Sequence, residues 1–297
     1  MSEECEKITV YTATYNRKEL LAKVYASLEA QTNKNFIWLV IDDGSEDGTC
    51  EVVAGWKENS DFEINYFFKE NGGIHSVRNI VCDLIDTELY MSVDSDDYLV
   101  PNAIEVVLGT WNSLGSKKYA GMIALNMSSD GKVIGDMFPN LLSASYQEIH
   151  FKYRVKGDKS HILRRSIMAK VEKAPIYKNE KLVGESYRLI QIPDDHPFLI
   201  INKAIRVRDY IKGGYTASSK LIYFQNPNGL RDGFYKGILM TNYGISIKIK
   251  NYLGYIILSY ILKDKYFMGK LPNKILGTVL KPIGRLIYLY LSYKYKK

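Results

Sequence analysis

The 297-residue sequence is poor in the residues that build zinc knuckles, disulfide frameworks and fibrous repeats. Its three cysteines, Cys5, Cys50 and Cys82, are far apart, and the lack of a Cys-x-x-Cys pair argues against a zinc knuckle or a disulfide scaffold. With 22 Gly and 8 Pro, the chain is not a low-complexity sequence. The start, MSEECEKITV, has no apolar signal core, so we expect a cytoplasmic protein with reduced thiols.

Charge is divided unevenly along the chain. The net charge is +7, but residues 231–297 hold 11 Lys and 2 Arg against Asp232 and Asp264, a net +11, so the first 230 residues carry −4. Hydrophobic residues make up 46% of the sequence, as in packed globular proteins. We therefore expect an acidic globular body that could hold a metal ion or a sugar, followed by a basic tail.

Strand and helix patterns alternate in the first half of the sequence. Apolar or β-branched runs predict strands at residues 8–14, 36–41, 62–68, 88–93 and 119–126. Helical spacing of apolar residues predicts helices at 18–31, 49–57 and 74–85, and a further one after Pro101. This alternation favours a mostly parallel sheet with right-handed crossovers, in which ligands bind outside the carboxyl ends of the strands.

Each of the first four predicted strands ends in a polar cluster, at residues 12–17, 42–45, 69–73 and 94–97. Parallel strands bring all four clusters to one edge of the sheet. The last cluster, Asp94-Ser95-Asp96-Asp97, holds three carboxylates, which repel one another unless a cation neutralises them. Such oxygen ligands suit Mg²⁺ or Mn²⁺ bridging to a substrate phosphate. The alternative is an acidic turn that caps the following helix.

Two further clusters have residue types that suit a nucleotide. Asp43, in the segment 42–45, is placed to bond a nucleobase or ribose, although an Asx turn explains the same pattern. The glycines at 72 and 73 let the backbone approach a ligand closely. Arg78 follows about one helical turn later and could grip a diphosphate with two hydrogen bonds or form a surface salt bridge.

Taken in order, these segments resemble the family-two nucleotide-sugar glycosyltransferases of the bacterial surface-polysaccharide type, which have the GT-A fold. The resemblance rests on Thr14-Tyr15-Asn16-Arg17, residues 41–49 (IDDGSEDGT), Asn71-Gly72-Gly73 with Arg78-Asn79, and Asp94-Ser95-Asp96-Asp97. It is strong over about residues 6–126, thinner to about 230, and does not cover the tail. It implies an α/β fold with a Rossmann-like, mostly parallel sheet flanked by helices. The donor half would span about 1–126, the acceptor half about 127–230, and a helical appendage 231–297.

The resemblance also implies roles for individual residues. Asp43 would bind the uracil or ribose of the donor, near Thr12 and the turn of Tyr15, Asn16 and Arg17. Asp94 and Asp96 would be the "DXD" pair, with Asp94 near the ribose, both at a divalent Mg²⁺ or Mn²⁺ ion, and Arg78 near the diphosphate. Ala13 departs from the family, which usually has a proline in this first turn.

The implied reaction is transfer of a sugar from a nucleotide-diphosphate sugar, by our expectation a UDP-sugar, with inversion at the anomeric carbon. The acceptor is a hydroxyl of a glycan or of a polyprenyl-diphosphate-linked molecule, and a carboxylate acts as general base. The segment Gly184-Glu185-Ser186 resembles the family's Gly-Glu-Asp segment, in which the Asp is often assigned as the base. Because Ser186 occupies that position, we expect Glu185 to be the base, with Asp194 or Asp195 as the alternative.

The tail combines lysines, apolar residues and 10 Tyr between residues 231 and 297. This composition suits amphipathic helices lying on the anionic inner face of a membrane, and the alternative is that these helices pack on the body or on a second subunit. We expect Pro272 and Pro282 to divide the tail into short helices, and its longest uncharged stretch, 12 residues at 251–262, is too short to span a bilayer. No nucleic-acid motif accompanies the charge. The oligomeric state stays open, with a homo-oligomer among the options.

Two other functions compete with glycosyl transfer. A nucleotidyltransferase could use a similar sheet, but the first strand is not followed by a Gly-rich loop with the Lys or Arg that would bind a triphosphate. A catalytically inactive protein that binds sugar nucleotides would explain why Ser186 occupies the position of the family's base. The sequence alone names neither the sugar nor the acceptor.

Overall fold

The computed structural model describes residues 5–208, 221–240 and 244–295. Contacts divide the chain into two compact units. The sheet unit comprises the described residues of 1–72, 77–172 and 192–209, and the helical unit those of 73–76, 173–191 and 210–297. The functional division expected at residue 230 stays a prediction, and residues 209–220 of the expected acceptor half lie outside the described residues.

The first part of the chain alternates strands and helices, as predicted. The strands are β1 Ile8–Thr14, β2 Phe36–Asp42, β3 Glu63–Phe68, β4 Leu89–Ser92, β5 Tyr98–Leu99, β6 Gly121–Met127, β7 Ser143–Ala144, β8 Lys159–Arg164 and β9 Phe198–Val207. The helices are α1 Lys18–Glu29, α2 Thr49–Asn59, α3 Ile74–Leu84, α4 Ala103–Leu114 and α5 Arg165–Met168, with a π-helical turn at Glu148–Lys152.

The strands form one sheet in the order β3-β2-β1-β4-β8-β6-β9-β5, with β7 paired to β9. The first four strands of this order are parallel. Thr14 of β1 pairs with Asp42 of β2, and Asp42 with Phe68 of β3, so these three strands end level with one another. The α/β expectation is confirmed. The later strands make the sheet mixed, because β8 runs antiparallel to both β4 and β6.

The core of the sheet unit forms because β2 is apolar from Phe36 to Ile41 (FIWLVI) and is buried on both faces. Trp38 of β2 is fully buried, and its indole N–H donates a hydrogen bond of 3.0 Å to the hydroxyl of Thr12 on β1. Helix α4, the helix predicted after Pro101, buries Ile104, Val107, Leu108 and Trp111. This packing fixes the strand ends that carry the polar clusters.

The helical unit contains two long helices where the sequence predicted short ones. Its helices are α6 Ser186–Leu189, α7 Ile222–Gln225, α8 Pro227–Met240, α9 Ile245–Ile261, α10 Phe267–Lys270 and α11 Lys274–Tyr295. The division expected at Pro282 is wrong, because Pro282 lies inside the 22-residue α11. Proline removes one helical hydrogen bond, but Gly277, Leu280 and Gly284 are buried on the same helix and Gly284 packs against Ile256 of α9. This packing holds the helix together across the proline.

A buried carboxylate caps helix α8, and its removal should be costly. One oxygen of Glu180 accepts hydrogen bonds from the backbone N–H (2.9 Å) and side-chain amide (2.8 Å) of Asn228, and the other accepts from the N–H of Gly229 (2.8 Å). We expect Glu180→Ala to lower the free energy of unfolding by about 2–3 kcal/mol, because backbone donors at a helix N-terminus lose a charged acceptor. Urea unfolding followed by circular dichroism measures this change. Glu58→Ala, at an exposed position of α2, is the control and should change stability by less than about 0.5 kcal/mol; equal effects would refute the capping role.

Candidate functional site

Asp43, directly after β2, joins two of the predicted clusters. Its carboxylate pairs with the ammonium of Lys69 and accepts a 2.9 Å hydrogen bond from the N–H of Gly72. The side-chain amide of Asn71 donates to the backbone oxygen of Asp43 at 2.8 Å. Gly44 has a φ of +93°, and a Cβ there would lie 3.0 Å from the backbone nitrogen of Asn71. The loops after β2 and β3 are therefore closely packed, with an almost fully buried carboxylate between them.

The turn after β1 is fixed to the loop after β2. Asn16 adopts a φ of +50°, its N–H donates to the hydroxyl of Ser45 at 2.9 Å, and its side-chain oxygen accepts from the N–H of Glu46 at 2.8 Å. The N–H of Lys18 donates to Asp47 at 3.0 Å. The ring of Tyr15, in the same turn, is exposed.

The acidic cluster after β4 meets the turn after β1 through an arginine. Arg17 donates to the hydroxyl of Ser95 at 3.3 Å, and its Nη1 lies 3.6 Å from Oδ2 of Asp96. The side chains of Asp94 and Asp96 are 33% and 30% exposed, so both can reach a ligand. All four predicted clusters are thus linked at one edge of the sheet.

Two arginines at the end of β9 complete the cluster, and the sequence reasoning missed both. Arg208 pairs with Asp94, donates to Oδ2 of Asp97 at 2.9 Å and donates to Asp158 at 2.9 Å. Arg206 is nearly fully buried and lies 3.6 Å from Asp97. The available signal was a charged side chain in an apolar strand, since buried charges in proteins are almost always paired.

The arginines set the ionisation of the acidic cluster. Burial tends to raise the pKa of Asp94, but the nearby arginines outweigh burial and lower this pKa below its usual value; they are Arg206, Arg208, Arg78 and Arg17. Burial raises the pKa of Asp97 to about 6, which Arg206 and Arg208 oppose and the neighbouring carboxylates Asp94 and Asp96 increase. At neutral pH, Asp94 is therefore an anion held among cations.

The donor set fits a divalent cation that binds together with a substrate. The described residues contain no group of three or more His, Cys, Asp or Glu side chains arranged to hold a metal ion by themselves. Asp94 and Asp96 nevertheless present two partly exposed carboxylates two positions apart. Mg²⁺ and its analogues are commonly bound by one or two carboxylates, with waters and substrate phosphate oxygens completing the shell.

The remaining predicted residues are placed differently. The hydroxyl of Thr12 is buried under β2, where it accepts the indole hydrogen bond of Trp38, so Thr12 supports the sheet instead of lining its edge. Arg78 on α3 acts on Asp94 by charge, which puts the guanidinium near the acidic cluster. Glu185 belongs to the helical unit and directly precedes α6. Asp195 is exposed and pairs with His196 at 2.8 Å.

Comparison with known sequences places the chain among glycosyltransferases, as the motifs predicted. Residues 9–166, about half of the chain, match the family model described as Glycosyl transferase family 2. An uncharacterized glycosyltransferase of Mycoplasma pneumoniae, the MG060 homolog, is 36% identical over 102 residues, covering 33% of this chain and 34% of that protein. The chain spans about a third or less of the length of the curated relatives that it matches.

Two solved structures resemble almost the whole chain in fold. Residues 1–349 of Staphylococcus aureus TarS in complex with UDP-GlcNAc give a TM-score of 0.60 at 16% identity, covering 98% of this chain and 92% of TarS. The mannosyltransferase PcManGT of Pyrobaculum calidifontis, in complex with GDP-Man and Mn²⁺, gives 0.56 at 17% identity, covering 97% and 82%. At such identities the likeness establishes the fold alone, and it confirms the expected GT-A type of α/β fold.

Proposed function

Because the chain belongs to glycosyl transferase family 2, we propose that it transfers a sugar from a UDP-sugar to an acceptor hydroxyl with inversion at the anomeric carbon. The observation that carries the proposal is that Asp43, Arg17 and the Asp94–Asp96 pair lie at the same edge of the sheet, where the parallel strands have their carboxyl ends. The TarS structure with UDP-GlcNAc supports a uridine nucleotide as the donor's leaving group.

Each residue of this edge has a role that suits its contacts. Asp43 is held rigidly by Lys69 and Gly72 and is proposed to accept hydrogen bonds from the uracil or ribose. Tyr15, in the turn fixed by Asn16, offers an exposed ring beside the nucleoside. Arg78 binds the diphosphate with charge-assisted hydrogen bonds.

Asp94 and Asp96 are the residues that would hold Mg²⁺ or Mn²⁺. When bound, a divalent ion would neutralise the negative charge that grows on the departing diphosphate. The Mn²⁺ in the PcManGT complex supports this cofactor class. Arg208, which pairs with Asp94, and the nearby Arg206 keep the Asp94 carboxylate anionic before the donor arrives.

The attacking hydroxyl must lose its proton as the new C–O bond forms, and we assign that proton to the carboxylate of Glu185. The hydroxyl approaches the face of the sugar opposite to the diphosphate, which inverts the anomeric configuration. Ser186 is too weak a base for this step. Asp195, which pairs with His196, is one alternative. Asp194 remains the other alternative.

For the acceptor, we propose a glycan or polyprenyl-diphosphate-linked hydroxyl at the inner face of the cytoplasmic membrane, with the enzyme as a peripheral protein. The basic, tyrosine-rich residues 231–297 support this setting. A polyprenyl-linked acceptor stays in the membrane, so an enzyme held at the surface meets it in two dimensions.

The reaction is tested by incubating the full chain with UDP- and GDP-sugars, Mn²⁺ or Mg²⁺ and a panel of glycan acceptors. We expect release of UDP together with a glycosylated product, and the anomeric configuration of the product follows from its NMR spectrum. Release of pyrophosphate from a nucleoside triphosphate would instead make the protein a nucleotidyltransferase. UDP-sugar binding without turnover on any acceptor would make it an inactive binding protein.

The nucleoside role of Asp43 gives a separate prediction. We expect Asp43→Asn to raise the dissociation constant of UDP by about 10-fold or more, because a charged acceptor of hydrogen bonds becomes a neutral one. Isothermal titration calorimetry measures this constant. Asp61→Asn, at an exposed residue paired with Lys34, is the matched control and should leave UDP binding unchanged. Equal affinity in Asp43→Asn and wild type would remove Asp43 from the nucleotide site.

A further inference from the structure

Helix α11 presents an exposed apolar stripe along its whole length. Its large apolar side chains at three- and four-residue spacing are between 46% and 82% exposed: Ile275, Val279, Ile283, Leu286, Leu289, Tyr290 and Tyr293. At 100° per residue, these positions fall within about one third of the helix circumference. Exposed apolar surface of this extent and regularity in a folded protein marks an interaction site.

The stripe is not the face by which α11 packs on its own unit. The packing face carries Gly277, Leu280 and Gly284, all buried. A Cβ at position 284 would lie 2.6 Å from Ile256, and one at position 277 would lie 2.6 Å from Leu271, so these glycines allow close contact. Helix α11 therefore has one face bound to its unit and another, separate face that is apolar and exposed.

The borders of the stripe are basic. Lys274, Lys281 and Arg285 lie along one side of it, and Lys294 lies on the other. No Asp or Glu occurs between residues 265 and 297. The C-terminal end of the stripe carries Tyr290 and Tyr293, and tyrosine favours the boundary between hydrocarbon and water. An apolar face with basic borders complements a surface that is apolar inside and anionic outside.

We propose that this stripe inserts into the interface of an anionic lipid bilayer, with α11 lying parallel to the membrane plane. The inference rests on the membrane setting of the proposed function and not on the transfer reaction itself. It assigns membrane contact to one face of one helix, whereas the sequence indicated membrane contact only for the tail as a whole.

Two other arrangements, a membrane-spanning α11 and a dimer that pairs through the stripe, fit these observations less well. Helix α11 is long and apolar enough to cross a membrane by length and composition. In a spanning helix, however, Lys281 and Arg285 would lie near the centre of the bilayer, where charged side chains are costly. Two copies pairing through the stripe around a two-fold axis would place these basic borders against each other, with no acidic residue on the helix to balance them.

Vesicle sedimentation of the full chain tests the stripe directly. We expect the wild type to sediment with vesicles of phosphatidylglycerol and phosphatidylcholine, far less with phosphatidylcholine alone, and less at high salt. Leu286→Glu should lower the partition coefficient by about 10-fold or more, because a charge replaces an inserted apolar side chain. The double variant Lys281→Gln, Arg285→Gln should weaken binding several-fold on anionic vesicles only.

The control variant is Ile176→Glu, which places the same charge at a residue that is 66% exposed and is not part of α11. It should bind vesicles like the wild type, and circular dichroism checks that both glutamate variants are folded. Equal binding of Leu286→Glu and wild type would overturn the proposal, as would resistance of the bound protein to alkaline carbonate, which indicates a spanning helix. Loss of a dimer in Leu286→Glu without loss of vesicle binding would assign the stripe to a second copy. Turnover on a soluble acceptor should stay unchanged in Leu286→Glu, so failure of the membrane proposal is distinguishable from failure of the transferase proposal.

Discussion

Asp96→Asn is expected to lower kcat/KM for sugar transfer by about 1000-fold while leaving the protein folded. The carboxylate of Asp96 is 30% exposed and lies 3.6 Å from Arg17. A partly exposed ion pair at that distance contributes little to stability, so its loss should move the thermal midpoint only slightly. We propose that Asp96 acts by binding the cation that neutralises the leaving diphosphate. This stabilisation increases as negative charge develops on the diphosphate in the transition state. Steady-state kinetics over a range of Mn²⁺ concentrations measure both the rate and the metal requirement.

Asp61→Asn is the matched control for this experiment as well, because it removes an exposed carboxylate that pairs with Lys34. Its kinetics should equal those of the wild type. In Asp96→Asn, the Mn²⁺ concentration for half-maximal activity should rise together with the loss of rate. Wild-type activity and an unchanged metal requirement in Asp96→Asn would exclude Asp96 from the cation site.

Glu185→Gln is expected to lower kcat by about 100- to 10,000-fold, the range typical for loss of a general base. The donor KM should change little, because the proposed base acts on the acceptor hydroxyl and not on the nucleotide. Glu185 is half-buried directly before α6, and glutamine keeps its size and one carbonyl oxygen. Stopped-assay kinetics with saturating UDP-sugar, together with calorimetric titration of UDP, separate the two effects.

Asp194→Asn and Asp195→Asn serve as the comparison variants for Glu185. Both should retain at least about a tenth of wild-type kcat if Glu185 is the base. A collapse of kcat in either aspartate variant, with full activity in Glu185→Gln, would transfer the proton-accepting role to that aspartate. Full activity in all three variants would contradict a carboxylate base in either segment.

The sequence predicted the parallel part of the sheet well because local patterns determine it. Strand β2 is apolar from Phe36 to Ile41 and runs into an Asp-Asp-Gly turn, and its predicted end at residue 41 differs from the observed end at Asp42 by one residue. The two-residue strands β5 and β7 have no readable pattern, since they form by pairing with β9 far along the chain. Pro282 misled the prediction because the packing of α11 on α9 outweighs the local preference.

In the candidate site, too, some contacts could be predicted from the sequence and others could not. Asp43, Arg17 and Asp96 follow strands whose ends meet by topology alone, so their convergence could be predicted. The pairing of Arg208 with Asp94 joins residues 114 positions apart through antiparallel strands that the sequence did not reveal. Thr12 was expected near the donor, but its side chain is buried within the sheet unit, where its hydroxyl accepts a hydrogen bond from Trp38.

The most direct test of the account is a crystal structure of the full chain grown with UDP and Mn²⁺, with anomalous data to locate the manganese. We predict a single UDP whose uracil or ribose contacts Asp43 and whose diphosphate shares a Mn²⁺ ion with Asp94 or Asp96. UDP bound away from Asp43, or manganese bound away from both aspartates, would contradict the claim that these strand ends form one nucleotide-sugar site.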